Sequence, residues 1–177
     1  MLDANVAEAG AVEEEAEDEV SSTYLTLELG GQRLGLDVRH VREVLDAQAI
    51  TPLPNAPGDV LGVVDVRGTS VPILDIRARL GMVAEMSGTE GRIVVLELGR
   101  AEEPYPIGIQ ADRVHKVEQI AADTIEPVPR RGLGGWDARA LKGLCRTDKD
   151  LVVLIDVDAL MGEAAAEIDL SDGFGLF

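Results

Sequence analysis

Two histidines, one cysteine and a recurring pair of aspartates are the residues in this chain best suited to chemistry. A catalytic or metal-binding histidine needs partners at defined spacing. His40 and His115 are not joined by a set of Cys, His or acid partners at metal-ligand spacing, and they occupy different positions of the repeat described below. His115, between Val114 and Val117, reads as a solvated histidine on an exposed edge. Cys145, within GLCR, reads as a small core hydrophobe, because nothing near it in sequence would lower its thiol pKa. Asp75 and Asp156 each follow an apolar run, VPIL and VVLI. Two carboxylates can do acid–base work, but each is better explained as the cap of a short helix that follows. GLGG at 132–135 follows no strand and carries no Lys-Ser/Thr, so it is no phosphate loop. No Ser-His-Asp arrangement has positional support. The expectation is a protein without catalysis, metal or cofactor.

What positions these residues is a duplicated unit. LELG at 27–30 returns at 96–99, and GLDVRHVREV at 35–44 returns as GIQADRVHKV at 108–117. ITPLP at 50–54 returns as IEPVP at 125–129, and GVVDVRGTSVPILDI at 62–76 as GLCRTDKDLVVLIDV at 143–157. The offset grows from 69 to 73, 75 and 81, as insertions between fixed elements would make it. Most segments read as strands. TYLTLEL and RLGLDV flank a Gly30-Gly31-Gln32 hairpin signal, and VLGVVDV and VPILDI flank Arg67-Gly68. RIVVLEL, PIGIQA, VHKVEQI, LKGLCR and LVVLIDV repeat the scheme. VRHVREVL at 38–45 fits one or two helical turns as well as a bent strand. IRARLG and DVDALMG look like short helices, each stopped by a glycine. The RRGLGGWDARA insert at 130–140, with its glycines and Trp136, reads as a mobile surface loop. With two Tyr, two Phe and one Trp, the core must be built from Val, Leu and Ile. The predicted fold is mainly β: two small β-barrel lobes related by internal duplication, with few short helices. Lobe one covers about 24–86 and lobe two about 90–160.

Charge separates body from tails. The net charge is −17 over 177 residues. Residues 1–23 hold eight acids and no Lys or Arg, and residues 161–177 hold four acids and no base. The body between them has 21 acids and 16 bases, a net of −5. The first 23 residues therefore read as an acidic disordered tail. Residues 161–177 read as a C-terminal tail, a frayed end in preference to a docking peptide. An acidic chain without a basic stripe or stacking aromatics is a poor nucleic-acid binder. No run reaches the roughly eighteen apolar residues of a membrane span, and the N-terminus lacks a signal-peptide pattern. A soluble cytoplasmic protein with no direct membrane insertion is expected.

The turn segment VDVRGTSVPILDIR resembles the N-L-R-G-x-x-[IV]-P-[IV]-x-D-L-R signature of the CheW family, the coupling proteins of bacterial chemotaxis. GLDVRHVREV is similar to that family's G-I-D-I-x-x-V-x-E-[IV] block, and LPNAPGDVLGVV to its I-x-N-x-P-x-[FY]-I-x-G-V stretch. IGIQADRVHKV is similar to its G-[IL]-x-V-D-x-V-x-x-V block. The blocks occur in family order across about 24–160. Asp65 and Val66 depart from the usual Asn-Leu, and Ala111 from a frequent Val. The resemblance implies two SH3-like β-barrel lobes with a hydrophobic core between them, and a non-catalytic adaptor that couples chemoreceptors to a CheA-type histidine kinase. Its partners would be the kinase regulatory domain and the cytoplasmic tip of methyl-accepting chemoreceptors, seated between lobes. An adaptor of a pilus or gliding pathway is the alternative, and a small-barrel ligand-binding module a further one.

The same resemblance suggests receptor-binding residues. Val38 and Val41 are apolar anchors or core residues. Glu43 and Arg67 are charged contacts beside them. Gly62 permits close backbone approach, and Val117 lines the second wall. A turn arginine between apolar strands fits a partner better than a core.

Overall fold

The computed structural model describes residues 21–82, 91–129, 138–147 and 150–167. The readings made for 1–20, for 130–137 with Trp136, and for 168–177 lie outside the described residues.

Eleven strands form in chain order. They are β1 (Ser21–Leu29), β2 (Gln32–Asp37), β3 (Val41–Asp46), β4 (Val60–Val66), β5 (Thr69–Leu74), β6 (Arg92–Arg100), β7 (Glu103–Ala111), β8 (Arg113–Ala121), β9 (Ile125–Glu126), β10 (Leu141–Arg146) and β11 (Leu151–Ile155). Among the described residues two α-helices, α1 (Ile76–Leu80) and α2 (Val157–Glu167), follow β5 and β11. The ambiguous segment at 38–45 takes both predicted forms: a 3₁₀ turn at Val38–His40, then β3. Gly30 (φ 57°) and Gly31 (φ 75°) occupy left-handed backbone at the β1–β2 turn, which lets two residues reverse the chain with the twist of the strands.

Pairing of the strands departs from two contiguous lobes. One sheet runs β8-β1-β2-β11-β10-β9, and the other β3-β6-β7-β5-β4. Each sheet therefore combines the opening hairpin of one repeat with the remaining strands of the other. The boundary near residue 86–90 divides the repeats in sequence but does not divide the sheets. The physical reason is the pair of parallel contacts. Leu154 faces Gly35 where β11 meets β2, and Ile73 faces Gly108 where β5 meets β7. The two contacts occupy equivalent places in the repeats, so the exchange is pseudo-symmetric. Both glycines permit it: a Cβ on Gly35 would lie 2.7 Å from Leu154 Cδ2, and one on Gly108 would lie 2.4 Å from Ile73 Cδ1.

Three apolar clusters follow. Val64, Val71, Ile73, Ile93 and Val95 fill the inside of one sheet, and Tyr24, Ile120, Cys145, Val152 and Leu154 fill the other. Cys145 is thus a core hydrophobe at the place where the first repeat has Val64. The largest cluster joins both sheets and both helices, with Leu27, Leu34, Leu74, Val94, Ile107, Ile155 and Leu160 among its members. Strands covered on both faces lose the simple alternation of a half-buried strand. This explains why Leu25, Leu27 and Leu29 are buried and Tyr24 and Thr26 are buried too.

Asp75 caps α1 by accepting the Arg77 N–H at 3.1 Å, and Gly81 (φ 71°) ends it. Asp156 accepts the Ala159 N–H at 3.1 Å in α2, so both carboxylates serve as caps. α2 does not stop at Gly162 but continues to Glu167, and Met161 is 1% exposed. The C-terminal tail therefore cannot begin at 161: that residue belongs to the central core. At the other end, Ser21–Thr23 belong to β1 and pair with Gln119–Ala121, so the acidic tail ends before them. Arg79 Nε meets Asp59 Oδ2 at 2.5 Å, and its Nη1 donates to the Leu160 carbonyl at 3.2 Å, tying α1 to α2.

Candidate functional site

The site is built around two edges of the second sheet. On edge strand β3, Val41, Glu43 and Leu45 are half-buried while Arg42, Val44 and Asp46 are exposed. The register of β3 against β6 shifts between Val41 and Glu43, a bulge that re-aims the Glu43 side chain. At the other edge, β4 and β5 are joined by a two-residue turn, Arg67-Gly68. Arg67 (φ 51°) and Gly68 (φ 83°) are both left-handed, and Val66 pairs with Thr69. A two-residue hairpin of this type needs positive φ at both central positions. Gly68 accepts that freely, while Arg67 carries strain.

Arg67 Nη2 donates to Glu43 Oε2 at 2.6 Å. The pair spans the two edges of the sheet, a geometry that brings together two of the six sequence-selected residues. Its members differ in exposure: the Arg67 side chain is 77% exposed, that of Glu43 only 17%. The carboxylate is thus partly withdrawn from water and compensated by a guanidinium that stays outside. The guanidinium has four further N–H donors in a planar fork suited to a carboxylate.

Val41 opens the strand that carries Glu43 and Val38 opens the 3₁₀ turn before it; both are half-buried and packed against the central core. Each contributes to the core and keeps an outer face. Asp37 sets their geometry. It accepts the Arg39 N–H at 3.0 Å, which starts the 3₁₀ turn, and holds the Arg39 guanidinium at 2.8–3.1 Å. The Arg39 hydrogen bonds keep the Asp37 carboxyl below its usual pKa against the opposing effect of burial. Asp75 and Arg77 repeat the arrangement at α1. Burial there works against the charge, yet the Arg77 bonds prevail and the Asp75 carboxyl is again lowered.

Gly62 is placed differently from the sequence expectation. Its φ is 145°, and a Cβ would lie 2.2 Å from the Thr51 carbonyl oxygen. The backbone that approaches it is the chain's own: Thr51 and Val63 exchange bonds of 2.9 and 2.8 Å across the gap. Val117 belongs to the other sheet. It sits on edge strand β8, pairs with Leu25 and is 58% exposed. Its repeat equivalent, Val44, is 42% exposed on β3. Val114, on the same strand, is the residue of β8 that borders the central core.

Sequence reasoning passed over Asp65 as a mere departure from a signature, yet its Oδ1 accepts the Gly68 N–H at 2.8 Å. An aspartate three residues before a turn glycine was the available signal. His115 lies beside Glu28, with Nε2 and Oε2 3.3 Å apart, and His40 stands 3.7 Å from Asp158. Among the described residues no group of His, Cys, Asp and Glu is arranged to hold a metal ion. No described helix is long and apolar enough to cross a membrane.

Comparison with known proteins agrees with this architecture. The CheW-like domain family model matches residues 23–165. Chemotaxis protein CheW of Klebsiella aerogenes is 27% identical over 155 residues, covering 87% of this chain and 90% of that protein. Protein FrzA of Myxococcus xanthus is 35% identical over 117 residues, covering 66% of this chain and 68% of its own length. The crystal structure of scaffolding protein TtCheW from Thermoanaerobacter tengcongensis superposes with a TM-score of 0.68 at 28% identity, covering 79% of this chain and 87% of that one. With a family match over most of its length and a fold shared with a solved member, this chain belongs to the CheW family.

Proposed function

We propose that this chain is a non-catalytic chemotaxis adaptor that couples a CheA-type histidine kinase to the cytoplasmic tip of chemoreceptors. The observation that carries the reading is the family match across residues 23–165, which takes in both sheets and the Arg67 turn. The local geometry is consistent with such work. A strained turn holds an exposed guanidinium on Glu43 of the strand that Val41 opens, which suits an acidic and apolar helical surface better than a small substrate. The receptor-binding set is Val38, Val41, Glu43 and Arg67, with Val117 as a contact on the other sheet. Gly62 serves this set indirectly, by keeping the Thr51 segment against β4. The kinase regulatory domain docks on exposed strands, and the protein works in the cytoplasm.

Titration of the purified chain against its cognate kinase regulatory domain, and separately against a receptor-tip hairpin, tests the proposal. Dissociation constants on the order of micromolar are expected for contacts of modest area. No complex with either partner at tens of micromolar would overturn it. Capture of the native kinase from cells identifies whether the pathway drives flagella or surface motility.

A further inference from the structure

Asp65 stands where the resembled signature has Asn, and it is exposed on β4 beside the turn that presents Arg67. Its Oδ1 accepts the Gly68 N–H at 2.8 Å. In a two-residue hairpin that N–H belongs to the second turn residue and lies outside the strand ladder, so a side chain is free to take it. The residue before it bears the strain, because Arg67 is held at φ 51° with a full side chain. The ladder, which pairs Val66 with Thr69, sets the length of the turn, and the Asp65 bond to the Gly68 N–H adds a second restraint on the conformation that holds Arg67 at positive φ. The Arg67 Nη2–Glu43 Oε2 contact, at 2.6 Å, depends on that backbone conformation because it reaches from the turn across to β3.

We propose that Asp65 is the positioning residue for Arg67: its side-chain oxygen latches the turn, so that the guanidinium rests on Glu43 and offers its remaining donors outward. The oxygen, not the charge, does this. Asn offers an oxygen at the same place, so the departure from the signature preserves the latch. Asp65 has no direct role toward a partner. The part of the inference that concerns binding rests on the adaptor reading above, whereas the latch does not.

The experiment compares Asp65→Ala, Asp65→Asn and Arg67→Ala in the full chain. Gly68 amide exchange and the Arg67 Nε–H resonance are followed by NMR, and binding of a receptor-tip hairpin by calorimetry. Asp65→Ala is expected to speed Gly68 exchange about fivefold, as loss of one net hydrogen bond would, to shift the Arg67 resonance, and to weaken tip binding several-fold. Asp65→Asn restores all three. Unchanged Gly68 exchange in Asp65→Ala, or failure of Asn to restore it, overturns the latch. If Arg67→Ala weakens binding and Asp65→Ala does not, the positioning role is overturned. If neither weakens binding while exchange responds as expected, the receptor assignment of Arg67 has failed and the latch stands.

Discussion

Arg67 and Glu43 show how a single contact separates stability from recognition. The Glu43 side chain is 17% exposed and would lose its cation in Arg67→Ala. That substitution should cost about 1 kcal/mol of stability, more than a typical surface change but far from unfolding. If the guanidinium also meets a receptor carboxylate, binding should fall by about 2 kcal/mol or more, and Arg67→Glu should be worse because like charges would then face each other. Melting and calorimetry on the same samples decide the matter: unfolding in Arg67→Ala would make the residue structural, and unchanged binding would move the receptor surface elsewhere. Tyr24 offers a contrasting case. It is 0% exposed within the Ile120, Cys145, Val152 and Leu154 cluster, and among the described residues its hydroxyl has no hydrogen-bond partner. A buried hydroxyl without a partner costs about 1–3 kcal/mol, so Tyr24→Phe should leave stability unchanged or raise it by roughly 1 kcal/mol. A fall in denaturation midpoint would show that the hydroxyl is satisfied after all. Asp75 carries a pH signature. Its pKa is lowered in the folded state, so its stabilisation is present above the ordinary carboxylate pKa, about 3.9, and is lost as pH falls through the folded value. Acid denaturation curves of Asp75→Asn should therefore be flatter than wild type below about pH 4, and an unchanged acid limb would remove Asp75 from the linkage.

At the level of elements, the duplication made strands and caps legible and left their partners hidden. Nine of the eleven described strands follow runs read as strands, β3 lies in the segment left open between helix and strand, β9 was not read as a strand, and both Asp caps lie where the sequence places them. Alternation could not show that β1 is buried on both faces, because Thr26 in a barrel interior looks like an outward residue until its hydroxyl is seen donating to the Lys116 carbonyl at 3.0 Å. Gly162 misled for a related reason. A glycine ends a helix when the chain must turn there, yet α2 packs Leu160 and Met161 into the central core and continues. Within the candidate site, a Glu43–Arg67 ion pair was legible in residue type, whereas the close approach of Thr51 to Gly62, from a distant connecting segment, was not. The parallel strand pairs provide an internal control on these arguments. Gly35→Ala and Gly108→Ala place a methyl against Leu154 and Ile73, residues that are 0% exposed. Overpacking of this kind costs about 1–3 kcal/mol. The two costs should agree within about 0.5 kcal/mol if the pseudo-symmetry is energetic as well as geometric. Urea denaturation of the two variants measures this, and a large inequality would mean that one parallel seam relaxes where the other cannot.

For the whole molecule, the exchange of hairpins between repeats decides what can fold alone. A repeat that formed its own sheet would be a domain, and a break between repeats would release two such domains. Here β1 and β2 complete a sheet otherwise made from β8 to β11, while β6 and β7 complete the sheet of β3, β4 and β5. Separation would leave β1 without β8, and β3 without β6. It would also divide the central cluster, in which Leu34 and Leu74 of the first repeat pack with Ile107, Ile155 and Leu160 of the second. Neither fragment then has the buried area to offset its conformational entropy. We therefore expect a chain cut between Met82 and Gly91 to remain one particle on size exclusion, with native circular dichroism, because both sheets still hold the pieces together. The same two fragments expressed separately should be unfolded, and should regain the native spectrum on mixing, with a midpoint that depends on concentration as for any bimolecular assembly. A first fragment that folds and melts cooperatively alone would show that its strands can close a sheet without β6 and β7. In that case the exchanged pairing would not be what makes the two repeats a single cooperative body.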